Sequence, residues 1–273
     1  MNLSLVRLVV CDMDGTLLDS AHEASARFFE LFAQFGAHGI EFAAASGRQY
    51  GSIVDKLAPI RDDITVIAEN GAIMRRGSET LLETALRREE VADVLERVSK
   101  LVDVHPVVCT ADCAYAHGHD RDFVSFMSEF YADYKLLEDL ETYEGTPLKI
   151  ALYTPGSSEE LIYPHLKDLA PRLKVKVSGP HWVDISNPEA HKGKALRQLQ
   201  TELGVSPAET MAFGDYHNDL EMLALADFSF AMGNAHPDIV AAARYQTASN
   251  DEGGVEQVLT KVVAARTEEN SAS

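Results

Sequence analysis

The chain has 273 residues, 46% of them apolar, which is enough for one large core or two smaller ones. Asp and Glu number 43 against 24 Lys and Arg, a formal net charge of −19; this argues against nonspecific binding to nucleic acid or an anionic membrane, and an anionic substrate would need local cations or a metal ion. The three cysteines, Cys11, Cys109 and Cys113, lack framework spacing and suggest a reducing compartment, and no apolar stretch approaches the ~20 residues of a membrane span.

The run Leu5-Val6-Arg7-Leu8-Val9-Val10-Cys11 is rich in β-branched residues and reads as a buried strand of a parallel sheet. Interrupted by Arg7, it reads as a first strand rather than a leader, and the protein is expected to be cytoplasmic. It runs directly into Asp12-Met13-Asp14-Gly15-Thr16, so two carboxylates stand where the strand ends. Ligands of open α/β sheets bind beyond that carboxyl end. Residues two apart on an extended chain point to one side, so both acids can face one site. Such a pair can divide its work between attack or metal binding and proton transfer. By itself the pentapeptide is also compatible with a turn that uses Asp and Gly for backbone reasons.

A helix is expected over 24–35, with Phe28, Leu31, Phe32 and Phe35 inward and Gly36 ending it. A short strand over 40–45 closes on Ser46-Gly47-Arg48, followed by a helix over 50–57 and a strand over 65–68. This β-α-β-α-β alternation implies a parallel sheet with right-handed crossovers. Asn70-Gly71 signals a turn, and 72–74 and 80–82 read as hairpin strands. Helices over 88–101, 123–131 (Phe123, Phe126, Met127 and Phe130 on one face) and 158–169 alternate with strands at 106–108, 114–116, 148–153, 174–177 and 182–185. This stretch reads as an α+β domain, a sheet covered by helices on one side. The doubly wound pattern then resumes: a helix over 192–203 ending at Gly204, a strand over 210–213 closing on Gly214-Asp215, a helix over 218–226, a strand over 228–231, and helices over 237–243 and 254–265. Residues 267–273 read as a disordered polar tail. The fold class is therefore α/β, a doubly wound, mostly parallel Rossmann-like core (1–82 and 187–273) with an inserted α+β domain (83–186).

Four segments fall beyond strands or at helix starts: Asp12 to Thr16, Ser46 to Arg48, Lys192-Gly193, and Gly214-Asp215-Tyr216-His217-Asn218-Asp219. They supply four carboxylates, the hydroxyls of Thr16 and Ser46, and the cations Arg48 and Lys192. Hard carboxylate oxygens favour Mg²⁺, and a nucleophilic carboxylate beside a metal and a lysine suits attack on an anionic phosphorus.

In that order, Asp-x-Asp-Gly-Thr, Ser-Gly-Arg, Lys-Gly and Gly-Asp-x-x-Asn-Asp, the chain resembles the haloacid dehalogenase superfamily of phosphohydrolases. More narrowly it is similar to the Cof-type branch, whose α+β cap is inserted between the second and third motifs. The segments Glu69-Asn70-Gly71-Ala72 and Ala231-Met232-Gly233-Asn234-Ala235 also resemble that branch, and the resemblance covers nearly the whole chain. It implies that Asp12 is the nucleophile of an aspartyl-phosphate mechanism. Asp14 would protonate the leaving oxygen and then activate water, with Thr16 orienting it. Ser46 and Lys192, with the adjoining Gly47 and Arg48, would bind phosphate, and Asn218 would touch phosphate or substrate. Mg²⁺ would be held by Asp12, the backbone carbonyl of Asp14 and Asp215, with Asp219 as a ligand or a supporting partner. A carboxylate at Asp14, where relatives that preserve a phospho-enzyme carry threonine, looks like a phosphatase or a phosphomutase.

Other features have plainer readings. Lys194 reads as a solvated helix residue, Trp182 as packing and Cys11 as a small apolar filler. Arg48 suits phosphate or a structural salt bridge equally, and Asn70 suits a turn. The grouping of Cys109, Cys113, His117 and His119 matches no standard zinc spacing, whereas His117, His119 or Arg121 could act in substrate selection. The expected function is a Mg²⁺-dependent phosphatase acting on small phosphorylated metabolites, sugar phosphates first, as a monomer or homodimer without nucleic-acid or membrane partners. A cap would exclude water and select the leaving group. The alternatives are a phosphomutase of the phosphomannomutase kind and a non-catalytic phosphometabolite-binding protein.

Overall fold

A computed structural model describes residues 1–128, 131 and 133–272. In chain order the elements are β1 (Leu8–Asp12), α1 (Ala26–Phe32), β2 (Glu41–Ala45), α2 (Tyr50–Lys56), β3 (Thr65–Ala68), β4 (Ile73–Arg76), β5 (Glu79–Glu83), α3 (Arg88–Val98), β6 (His105–Thr110), β7 (Ala114–His117), α4 (Arg121–Met127), β8 (Tyr134–Leu137), β9 (Pro147–Tyr153), α5 (Ser158–Leu161), β10 (Lys174–Gly179) and β11 (Trp182–Ser186). They continue with α6 (Lys192–Leu203), β12 (Thr210–Gly214), α7 (Leu220–Leu223), β13 (Phe228–Ala231), α8 (Pro237–Ala242), β14 (Tyr245–Gln246) and α9 (Gly254–Ala272). The chain divides into two compact units, one of Met1–Arg48, Ile53–Leu82 and His191–Ser273, the other of Gln49–Ser52 and Glu83–Ala190.

The first unit is built on an eight-stranded sheet of order β14-β13-β12-β1-β2-β3-β4-β5. From β14 to β3 the pairs are parallel, and β4 runs antiparallel to β3. The chain leaves β1 toward β2 and returns to β12 on its other side, so β1 is the topological switch point where such sheets hold their ligands. All five residues of β1 are buried, because helices cover both faces. Leu8 and Val10 pack with Ala195, Leu196 and Leu199 of α6, whereas Phe42 of β2 meets Phe28, Phe32 and Phe35 on the opposite face. Asp12 shares the parity of Leu8 and Val10, which carries its carboxylate to the α6 side of the sheet.

The second unit is a six-stranded sheet of order β10-β11-β9-β6-β7-β8, antiparallel except for the β7–β8 pair. Val108, Ile150, Leu152, Val183 and Ile185 face the apolar sides of α3 and the 162–169 segment. Cover on one side only is not what forms. Val107, Cys109, Ala116 and Ala151, of the opposite parity, pack with Phe123 and Met127 of α4, because alternate residues of β6 and β9 are apolar on both faces. Phe130 lies outside the described residues.

Several boundaries differ from the sequence expectation. Gly39, not Gly36, takes the left-handed conformation before β2 (φ 63°), after a short turn over Gly36–His38. The helix expected over 158–169 stops at Leu161 and breaks into two short turns around Pro164, which has no amide hydrogen to continue the ladder. The strands β8 and β14 carry no clear period and escaped the sequence reading. Helix α9 runs to Ala272 rather than ending in a tail: the Arg266 guanidinium donates to the Ser4 and His38 carbonyls at 2.8 and 2.7 Å. Among the described residues, no helix is long and apolar enough to cross a membrane.

Candidate active site

Every candidate catalytic residue of the first unit stands at a strand end or a helix start around β1. Met13, between the two acids, is fully buried, and Asp12 is nearly so, whereas Asp14 is partly exposed. Beyond the strand the backbone coils back on itself: the Leu17 amide donates to Asp12 O at 3.2 Å and the Leu18 amide to Met13 O at 2.9 Å. Gly15 sits at φ 75°, and a Cβ there would collide with the Asp215 carboxylate.

Lys192 is the first residue of α6, whose start is fixed by the His191 ring accepting the Lys194 amide at 3.2 Å. Gly71 (φ 93°) packs against the His191 backbone carbonyl, where a Cβ could not fit. Lys192 is fully buried, and its ammonium donates to Asp12 Oδ1 and, at 2.7 Å, to Asp219 Oδ1. Asp219 Oδ2 accepts the backbone amides of Asp215 and Tyr216 at 3.0 and 3.2 Å, so both its oxygens are engaged. Carboxylate oxygens of Asp12, Asp215 and Asp219 fall within 4.8 Å of one another.

Three carboxylates share one ammonium here, and the titration behaviour follows. Burial, then the charge of Asp219, pushes Asp12 up to about 8 despite Lys192. Burial and Asp219 likewise lift Asp215 to about 6. Burial alone would lower Lys192, but its two anionic partners hold it above its ordinary value and so charged. Burial and the adjacent Asp12 raise the Cys11 thiol, which leaves it an unreactive filler of β1.

Asp14 has different company. Arg48 grips it through Nε to Oδ2 at 2.8 Å and through its terminal nitrogen to Oδ1 at 2.6 Å. His22 Nδ1 lies 3.2 Å from the same Oδ1. Burial would raise the Asp14 carboxyl, yet the hydrogen bonds and charges of Arg48 and His22 bring it below the ordinary range. Arg48 thus makes a salt bridge to Asp14, one of the two roles its sequence context suits. The buried Thr16 hydroxyl has no hydrogen-bond partner among the described residues, Asp14 included.

A third cluster closes the set. Ser46 directly follows β2, and its hydroxyl accepts the Arg48 amide at 3.1 Å, while its carbonyl accepts the Asn70 amide at 2.9 Å. Gly47 lies against the Asn70 side chain, and Asn218 Nδ2 donates to Asn70 Oδ1 at 3.1 Å. Asn70 takes φ 55°, as a turn residue does, and also ties the β3 and β12 loops together. Arg48 links this cluster to Asp14, and Gly15 abuts Asp215, so Asp12, Asp14, Ser46, Gly47, Arg48, Lys192, Asp215, Asn218 and Asp219 form one connected site. Asn234 supports it by donating to Gly15 O at 2.8 Å. His22 was missed in the sequence because it belongs to no motif and reaches Asp14 only through a left-handed backbone turn (φ 59°).

Within the second unit, the residues singled out in the sequence have local partners. His117 Nδ1 lies 3.2 Å from Leu137 O and its ring stacks on His119. Cys109 is buried with Sγ 3.7 Å from Tyr131 Oη, and Trp182 packs on Phe126 and Tyr153.

The sequence matches the family model of haloacid dehalogenase-like hydrolases over residues 9–259. The chain is 34% identical over 263 residues to the 5-amino-6-(5-phospho-D-ribitylamino)uracil phosphatase YbjI of Escherichia coli, covering 94% of this chain and 96% of that one. Among solved structures, SMU.1108c of Streptococcus mutans superposes with a TM-score of 0.83 at 30% identity, covering 95% of this chain and 99% of that one. The subclass IIB sugar phosphatase BT4131 superposes with a TM-score of 0.77 at 25% identity, covering 94% and 98%.

Proposed function

The chain belongs to the haloacid dehalogenase-like hydrolases, as a phosphatase of that family, and from that premise we propose that it hydrolyses small phosphorylated metabolites, sugar or sugar-alcohol phosphates foremost, through an aspartyl-phosphate on Asp12 with Mg²⁺ as cofactor. The observation that carries this reading is the fully buried Lys192 bonded to both Asp12 and Asp219 beside Asp215. A buried anion set of this kind is costly for folding and earns its place through chemistry.

In this reading an Asp12 oxygen attacks phosphorus as the ester O–P bond breaks, and Asp14 delivers a proton to the leaving oxygen. Asp14 then takes a proton from water, which attacks phosphorus and frees Asp12. Lys192 and Ser46 hold the phosphoryl oxygens, with Gly47 at the Ser46 turn, and Asn218 meets the phosphate or the remainder of the substrate. Without substrate, Arg48 and His22 keep Asp14 ionised, the form suited to the second step. Protonation for the first step requires Arg48 to release Asp14 when substrate arrives.

The donor set fits a hard divalent cation, because hard oxygens crowd together with more negative charge than Lys192 neutralises. Asp12, the Asp14 backbone carbonyl and Asp215 would hold Mg²⁺. When bound, Mg²⁺ supplies the positive charge that lets an anionic carboxylate approach an anionic phosphate. Asp219, with both oxygens engaged, is assigned to hold Lys192 and the Asp215 loop. The activities of the ribitylaminouracil phosphatase and the sugar phosphatase support a phosphate ester on a polyol or sugar chain as the substrate. The three free cysteines agree with a cytoplasmic setting.

The test is phosphate release over a panel of sugar, sugar-alcohol, nucleotide and cofactor phosphates, with and without Mg²⁺. Activity should require Mg²⁺ and vanish in Asp12→Asn. Isomerised sugar phosphate without free phosphate would replace hydrolysis with phosphoryl transfer, and full activity in Asp12→Asn would remove the nucleophile.

A further inference from the structure

The loop that carries Asp215 leads into a second group of metal-ligating side chains, which the phosphatase chemistry does not use. His217 Nε2 lies 2.9 Å from Asp238 Oδ2, and His236 Nδ1 lies 3.5 Å from the same oxygen. One donor atom from each of the three residues falls within 4.8 Å of the others. A tetrahedral ion with bonds of about 2.1 Å needs donor atoms about 3.4 Å apart, a value these spacings bracket. The two imidazoles are tilted by 51° with centroids 4.3 Å apart, and the Tyr216 ring stands edge-on to both, limiting their rotation.

Backbone structure fixes the donors. His236 caps α8, its Nδ1 accepting the Asp238 amide at 3.2 Å, so the single lone pair of that nitrogen has to turn from the amide to hold an ion. The His236 amide donates to the Asp215 carbonyl at 2.9 Å, which ties the group to the β12 loop. A helix cap accounts for His236 and an ion pair accounts for His217. Neither accounts for two imidazoles converging on one carboxylate oxygen. The three side chains are 39%, 37% and 66% exposed, so an ion can reach them from solvent and water can complete its shell.

We propose that His217, His236 and Asp238 form a second metal site, selective for Zn²⁺ or Cu²⁺ and separate from the carboxylate site around Asp12. Two nitrogen donors and one oxygen favour late first-row cations, whereas the all-oxygen set favours Mg²⁺. The two sites therefore differ in the ion they select.

The test uses the full chain saturated with Mg²⁺, so that the carboxylate site is filled. Zn²⁺ is titrated calorimetrically, and one equivalent of Cu²⁺ is followed by electron paramagnetic resonance. The site should bind one Zn²⁺, with affinity at least ~10-fold weaker in each of His217→Gln, His236→Gln and Asp238→Asn. The Cu²⁺ spectrum should show coupling to two imidazole nitrogens, falling to one in either histidine variant. His117→Gln, which breaks the stacked His117–His119 pair, should leave both readings unchanged. All four substitutions are at partly or fully exposed positions, and thermal melts confirm folding. Zn²⁺ affinity and Cu²⁺ coupling that are the same in the three site variants as in the parent would overturn the site. Neither reading depends on turnover, so failure of the phosphatase assignment would leave this test intact.

Discussion

The two units treat charge in opposite ways. The first buries Lys192, Asp12 and Asp219 together at the centre of its sheet. The second keeps its ion pairs outside, with Arg97 bonded to Asp93 and Asp168 and Arg172 bonded to Asp93, all partly exposed. Among its described residues the buried acid is Glu90, whose partner Arg87 is mostly in solvent. Burying charge costs desolvation that pairing seldom fully returns, so a fold keeps it where chemistry requires it. The contrast separates a unit organised around a reaction from a unit organised around apolar packing.

The largest break in that contrast should come from Lys192→Met. Removing the ammonium leaves Asp12 and Asp219 buried without their cation, for an expected loss of about 3–5 kcal/mol in denaturant unfolding. Turnover should fall by at least ~10²–10³, because the proposed mechanism then loses its electrostatic contact to the reacting phosphate. A variant of near-parental stability would show that these charges are not under the constraint described.

How much of this was legible in the sequence follows the same division. The parity of Leu8, Val10 and Asp12, the Gly204 stop of α6 and the acids after β1 and β12 are local signals, and they place the first unit's site. Arg48 reads as a phosphate ligand as easily as a clamp on Asp14, because the choice depends on a bond across 34 positions of chain. His22 and the anchoring of α9 by Arg266 likewise rest on long-range contacts. In the second unit, alternation on both faces of β6 and β9 makes the sheet two-sided, while periodicity in the neighbouring helices gives only their own inner faces.

A smaller effect should appear in the pH dependence of stability without divalent cations. Asp12 and Asp215 bind their protons more tightly folded than unfolded, at about 8 and about 6. Their contribution is therefore full below the ordinary carboxylate pKa and is lost as pH rises through those values. The metal-free protein should lose a few degrees of Tm between about pH 5 and 8. Added Mg²⁺ should restore more of it at pH 8 than at pH 5. Thermal melts with chelator and with Mg²⁺ check this, and a Tm that rises with pH in chelator would reverse the sign.

The smallest effect should be Arg97→Ala in the second unit. Its two ion pairs are at the surface, so the loss should stay under about 1 kcal/mol and turnover should not change. A loss of several kcal/mol in denaturant unfolding would mean that this unit also depends on its charges, and the contrast would fail.

The central claim, that Asp12 accepts the phosphoryl group, is tested most directly by trapping. Rapid quenching of a reacting mixture with borohydride reduces an acyl phosphate to an alcohol, and peptide mass spectrometry locates the change. Reduction of Asp12 to homoserine, dependent on substrate and absent in Asp12→Asn, is the result this mechanism predicts. A reduced carboxylate elsewhere, or none while the leaving alcohol is released in a burst, would contradict it.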